Sequence, residues 1–179
     1  MRRTMSVAAA TVIAFAAPLA AQQAAAPPAA TQDDTATVDS AVAALYSVIS
    51  GPAGPRDWAR FKALFAADGR MVQLGKTGPL MLSPQGYVDL ASVAFGKEGF
   101  FEQEIARRTE RYGNLVHVFS TYESRRTADG APFARGINSI QFARIDGKWR
   151  IMSIMWQSET PAFPLPDAYL PTTPATKEK

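Results

Sequence analysis

After Gly99 the apolar residues of this chain change from a helical period to a period of two, and they hold it to Ser158. Alternation at every second residue is the mark of a strand with one buried face. Phe100 to Tyr112 reads as one long strand, Leu115 to Arg126 as the next, Phe133 to Arg144 as a third and Trp149 to Ser158 as a fourth. Gly113-Asn114, Ala128-Asp129-Gly130 and Asp146-Gly147 separate them. Glycine, asparagine and aspartate accept the positive φ angles of tight hairpin turns. Strands joined by connections this short must pair with their neighbours, so the stretch predicts an antiparallel meander.

The region before Gly99 carries helical spacing instead. Thr37 or Asp39 can cap a helix running to about Ser50, with Val38, Val42, Leu45 and Ile49 in one stripe. After the loop GPAGP, Pro55 sits near the start of a second helix whose face holds Trp58, Phe61, Leu64 and Phe65. Asp68-Gly69 reads as a turn, Met71 to Leu74 as a short strand and Leu80 to Leu82 as its partner. Ser83 caps a third helix with Pro84 at its first position and Tyr87, Leu90 and Val93 as its stripe. The expectation is an α+β fold: three N-terminal helices packed on a strongly curved antiparallel sheet.

The ends have a different character. In residues 1–21, Arg2 and Arg3 precede an uncharged apolar run from Met5 to Ala17, then Pro18 and small residues. That is the layout of a secretory signal peptide, and the run is too short for a membrane span, which needs about 20 apolar residues. The expectation is a secreted or periplasmic protein starting near Gln22, with no stable membrane insertion once the signal is gone. Residues 22–37 are rich in Ala, Pro and Thr and read as a flexible linker. Residues 38–160 form the domain. Residues 161–179 are a proline-rich tail, irregular in structure, whose Phe163, Leu165, Tyr169 and Leu170 could lie against the body.

Composition excludes several functions. The formal charge of +3 includes Arg2 and Arg3, so the exported chain sits near +1, with no basic footprint for nucleic acid. There is no cysteine, hence no disulfide and no thiolate metal site. The single histidine, His117, rules out two-histidine metal motifs, and no phosphate loop or nucleophile elbow is present. No metal and no cofactor are expected.

The last hairpin, RIDGKWRIMSIMWQ, with the strings HVFSTYESR and RGINSIQF, resembles the nuclear transport factor 2-like superfamily and its SnoaL-like branch, over roughly Val38 to Glu159. The resemblance implies a sheet curled into a cone-shaped pocket closed by the helices. That scaffold carries isomerases, dehydratases, cyclases and plain binding modules, so function has to come from the site. The resemblance places the Trp156 face in the pocket, with Met152, Ile154 and Trp156 on the last strand. A three-residue turn at Ile145-Asp146-Gly147 would add Asn138, Ile140 and Phe142. A two-residue turn would invert the parity and present Ser139 and Gln141 instead. Tyr122 and the other even residues of its strand would face the same pocket.

The isomerase branch uses a carboxylate base with a tyrosine and a protonated acid as oxyanion donors, ketosteroid isomerase being the standard worked case. Tyr46 matches that tyrosine. The base position falls on Gln73, which has no titratable proton, and the acid falls near Asn138. Glu102 and Glu104 share one strand face and are the remaining candidate bases. Three readings follow. A module binding a small, partly apolar molecule is preferred, with Tyr46, Tyr122, Asn138, Ile140, Phe142, Met152, Ile154 and Trp156 as ligand contacts. The second is an enzyme using Glu102 or Glu104 with Tyr46. The third is a structural dimer with a filled cone. A homodimer is expected through the outer sheet face, where Ile137, Ile151 and Met155 alternate with Ser139, Gln141, Ser153 and Gln157. His117 belongs to that outer face. Arg125, Arg126, Arg135 and Arg144 cluster on neighbouring strands, where they could collect an anionic ligand or partner; the preferred reading is ion pairs with Glu123, Asp129 and neighbouring carboxylates on a wet sheet face.

Overall fold

The structure is a computed structural model that describes residues 33–171. Its elements run α1 (Val38–Ile49), α2 (Trp58–Ala63), β1 (Phe65–Gly75), β2 (Gly78–Leu82), α3 (Pro84–Phe95), β3 (Phe101–Tyr112), β4 (Leu115–Arg125), β5 (Ala134–Ile145), β6 (Lys148–Ser158) and a 3-10 turn at Asp167–Tyr169. Local chemistry sets the helix starts. Thr37 and Ser40 form a reciprocal capping box on α1. Asp57 accepts from the Arg60 amide at 2.9 Å, and Ser83 accepts from the Gly86 amide at 3.1 Å with Pro84 in the first turn.

The six strands lie in the order β2-β1-β6-β5-β4-β3. The meander from β3 to β6 is antiparallel as the alternation requires, and β1 joins it parallel to β6. This parallel join is the one departure from an all-antiparallel sheet. It also shortens the second helix: Phe65 pairs with Ile151 and starts β1 instead of ending α2, because the Ile151 amide donates to the Leu64 carbonyl at 2.9 Å. The core lies between the helices and the concave sheet face, around Phe61, Ile140, Phe142 and Ile151, all fully buried.

Two details change which residues face inward. Ile145 pairs with Lys148, so Asp146-Gly147 is a two-residue turn, with φ of 50° and 78°. Both angles are positive, as a type I′ hairpin demands. That turn alone would invert the expected parity. A β-bulge in β6 inverts it again: Gln141 pairs with Ser153 and Phe142 with Ile151, leaving Met152 without a partner. Ile154 and Trp156 therefore stay opposite Ile140 and Asn138. Met152 is turned out and exposed, while Ile151, expected on the outer face, is buried in the core.

The α3 stripe is also rotated from the expected one. Val88, Ala91 and Phe95 are buried, whereas Leu90 and Val93 are mostly exposed. Residues 33–37, at the end of the stretch read as linker, are folded on the body. Trp149 donates to the Thr35 carbonyl at 2.8 Å, and Arg60 is bidentate on Asp34. In the tail, Thr121 donates to the Tyr169 carbonyl at 2.6 Å, and Tyr169 meets Phe119 edge-on at 5.0 Å. The tail thus covers part of the outer face and forms the short 3-10 turn that its prolines were expected to prevent. Its last residues, like the signal and most of the linker, lie outside the described residues.

Candidate functional site

Between α1, α3 and the concave face lies an open cavity of about 420 Å³. Ile154 and Trp156 from β6, Asn138 from β5, Tyr122 and Ser124 from β4, Glu102 from β3 and Gln73 from β1 all line it. Tyr87 and Phe95 close it from α3, with Phe61 and Phe100 beside them. Gly136 keeps Tyr122 in place: a Cβ there would stand 2.6 Å from the Tyr122 hydroxyl oxygen. Tyr122 is bonded to Ser158 at 3.2 Å, and burial raises its pKa to about 12.

Of the expected contacts, Tyr122, Asn138, Ile154 and Trp156 line the cavity. Ile140 and Phe142 face the same way but lie beneath it, fully buried in the core. Met152 is outside, turned away by the bulge. Tyr46 is buried next to the cavity without lining it.

The reason Tyr46 stays out is a hydrogen-bond chain. Asn138 Nδ2 donates to the Tyr46 hydroxyl at 3.0 Å, and the Tyr46 and Ser120 hydroxyls are 2.7 Å apart. Ser120 donates onward to the Glu104 carboxylate. Glu104 also accepts from Arg107 Nε at 2.8 Å, and Arg107 reaches Asp39 on α1. The carboxylate end fixes the direction of the whole chain, because it only accepts. Ser120 spends its proton on Glu104, so Tyr46 spends its proton on Ser120, and the Asn138 amide must donate. Tyr46 has no proton left for a ligand. Burial raises its pKa further, and the nearby Glu102 and Glu104 charges add to the effect against the bonds from Ser120 and Asn138.

Glu102 differs from Glu104 in having no cationic partner among the described residues. Its carboxyl accepts from Ser124 Oγ at 2.8 Å. Desolvation pushes its pKa up to about 7, with Ser124 and the Asn138 amide opposing the shift. Among the described residues no lysine, arginine or histidine lines the cavity. A carboxyl held near neutrality by apolar walls can accept or donate a proton at ordinary pH.

Tyr87 is the residue that sequence reasoning missed. It reads as helix stripe, and its ring does stack on Phe61 at 5.3 Å and meet Trp156 edge-on at 6.3 Å. Yet its hydroxyl makes no hydrogen bond among the described residues, and the residue lines the cavity. Burial and the Glu102 charge raise its pKa, so it remains a donor. The available signal was the tyrosine itself, a polar-tipped residue in an otherwise apolar stripe.

The outer face carries His117, whose Nε2 lies 3.0 Å from Ser139 Oγ. Arg125 pairs with Glu123, Arg126 with Glu98 and Arg135 with Glu159, whereas Arg144, expected to form an ion pair, donates to the Gly147 carbonyl at 3.3 Å and has no carboxylate partner among the described residues. Among the described residues, no group of histidine, aspartate and glutamate could hold a metal ion, and no helix is long and apolar enough to cross a membrane.

No protein-family model and no curated protein matches the sequence. Solved structures do match its fold. A protein of unknown function with a cystatin-like fold from Nostoc punctiforme has a TM-score of 0.54 at 14% identity, covering 69% of this chain and 89% of its own. LinA has a TM-score of 0.53 at 17% identity, with 76% and 93% covered. Aln2 from Streptomyces has a TM-score of 0.53 at 18% identity, with 67% and 86% covered. With three helices packed on a curled six-stranded sheet, this chain has the nuclear transport factor 2-like fold.

Proposed function

We propose that the cone binds a small, partly apolar molecule, seated against Trp156 and Tyr87 and oriented by Glu102 and Asn138. The observation that carries this reading is the open cavity of about 420 Å³ with largely apolar walls and one unpaired carboxyl. A volume in the range of about 300–1,000 Å³ with few polar groups is the usual make-up of a small-molecule site. A filled cone would have favoured a purely structural module. Ligand binding should quench or shift tryptophan emission. Trp156→Phe should remove most of that change, and Trp58→Phe, which alters a residue outside the cavity lining, should not. A broad panel of apolar ligands that moves neither emission nor melting temperature would sink the proposal.

A second reading is supported by Glu102 itself. A carboxyl tuned to about 7 in an apolar cavity suits proton transfer, as in an isomerase, dehydratase or cyclase. In that reading Glu102 is the base and the free Tyr87 hydroxyl is the hydrogen-bond donor, since the proton of Tyr46 is committed to Ser120. Turnover of a cone ligand that Glu102→Gln abolishes without weakening binding would establish it. The export signal expected in residues 1–21 puts this activity outside the cytoplasm, where the ligand would be met.

A further inference from the structure

We infer that the ligand of the cone carries a positive charge: an apolar amine or quaternary ammonium whose cation sits between Glu102 and the aromatic wall. The inference rests on the small-molecule reading above and names the class of molecule. Two observations converge on it. First, the cavity holds one carboxyl and, among the described residues, no basic side chain lines it. The groups that face Glu102 from the packed elements are Tyr46 of α1, Tyr87 of α3, Tyr122 of β4, and Ser124 and Asn138. All are neutral. The nearest arginine on the same strand face, Arg107, is already shared between Glu104 and Asp39. A buried carboxylate without a counter-charge is costly, and a cationic guest would supply what the protein omits.

Second, the cavity that holds Glu102 is walled by aromatic rings. Tyr87 and Trp156 meet at 89°, forming two sides of a corner, and Phe95 stacks on Phe100 at 4.5 Å. Aromatic corners of this sort attract ammonium groups through the ring quadrupole. The cations beside this wall are already engaged: the Arg126 guanidinium lies 4.1 Å over Phe133 and pairs with Glu98, and that of Arg56 lies 5.4 Å over Phe95. Arg56 is itself held by the carbonyls of Ile49, Gly51, Pro52 and Gly54, so it braces the wall from outside instead of entering the cavity. A neutral apolar guest would use the rings and leave the carboxyl unserved. An anionic guest would meet Glu102 with like charge.

The test is calorimetric titration of the full chain with phenyltrimethylammonium and with tert-butylbenzene, which share shape and differ in charge. The ammonium should bind about tenfold or more tightly than its neutral twin. Its binding near pH 6 should release protons, read as a buffer-dependent heat, because the cation drives Glu102 to its ionised form. Glu102→Gln should erase the preference by weakening phenyltrimethylammonium binding to the level of its neutral twin. Should that variant fail to fold, the proton release of the unaltered protein still decides. Equal affinities, or a tighter neutral twin, would overturn the charge assignment and leave the binding reading standing. Failure of both compounds to bind would overturn both.

Discussion

Replacing Glu102 with glutamine should make the protein more stable at pH 8 and leave it unchanged at pH 4. The carboxyl has an ordinary value of 4.5 and about 7 in the folded state, raised chiefly by desolvation. The folded state therefore holds a proton that the unfolded chain has already lost between those two values. Below about pH 4.5 both states are protonated and Glu102 costs nothing. As pH rises through 7 the folded carboxyl ionises in its apolar setting, and the full penalty is reached. At about 1.4 kcal/mol per pH unit, that penalty is roughly 3 kcal/mol. Glutamine keeps an acceptor for the Ser124 hydroxyl and removes the charge. For a domain of this size, the gain corresponds to a melting temperature higher by roughly 5–12 °C at pH 8. The assay is thermal unfolding of both proteins at intervals from pH 4 to 8, read as the difference between them. Taking the difference removes the groups whose values are lowered, Asp33, Asp34 and Glu159, which act in the opposite sense. A difference that stays flat across that range would refute the claim that the half-buried Glu102 is desolvated without a counter-charge.

Tyr46→Phe should cost about 0.5–1.5 kcal/mol in urea unfolding, because it removes the hydrogen bonds that the Tyr46 hydroxyl makes with Ser120 and the Asn138 amide. A cost near zero would show that the chain of bonds is not formed. A 5-ene steroid should not be isomerised above background, since Gln73, at the position that the resemblance assigns to the base, cannot take up a proton; turnover would refute this. Sedimentation at micromolar concentration should give a dimer that Met155→Glu dissociates, through the outer-face surface of Ile137 and Met155 left beside the tail. A monomer at high concentration would remove the idea. Intact mass of exported protein should show an N-terminus near Gln22, and soluble protein retaining Met1 would defeat the signal assignment.

Much of the fold was legible in the sequence because its signals are local. Thr37 and Ser83 cap helices whatever surrounds them, and period two marks strands directly. The α3 face was misread for a local reason too. Two apolar stripes run along that helix, Tyr87-Leu90-Val93 and Val88-Ala91-Phe95, and they lie about 100° apart. Propensity does not choose between them. Packing against Trp58 does, and Phe95 stacks on Trp58 at 6.1 Å. Likewise Tyr46 and Tyr87 are both helix tyrosines in sequence. What separates the committed hydroxyl from the free one is Ser120, 74 residues away from Tyr46.

The site depended most on two residues that no periodicity reveals. In β6 the unpaired Met152 flips the strand, and it undoes the inversion caused by the two-residue turn at Asp146-Gly147. Trp156 reaches the cavity because two parity changes cancel. In β3 the bulge falls between Glu104 and Ala106, at Ile105. Glu104 and Arg107 are three apart, so in a regular strand they would point to opposite faces. The bulge removes one step of alternation and brings Arg107 onto the face of Glu104, where it forms the ion pair. Glu102, on the same face and before the bulge, gets no such partner. Two glutamates two residues apart thus receive opposite fates from one extra residue: the first is left unpaired in the cavity, and the second is tied into the wall. A regular ladder running through Ile105 would instead put Arg107 on the outer face and leave Glu104 as bare as Glu102. A bulge at that position is therefore what singles out one carboxyl for the ligand.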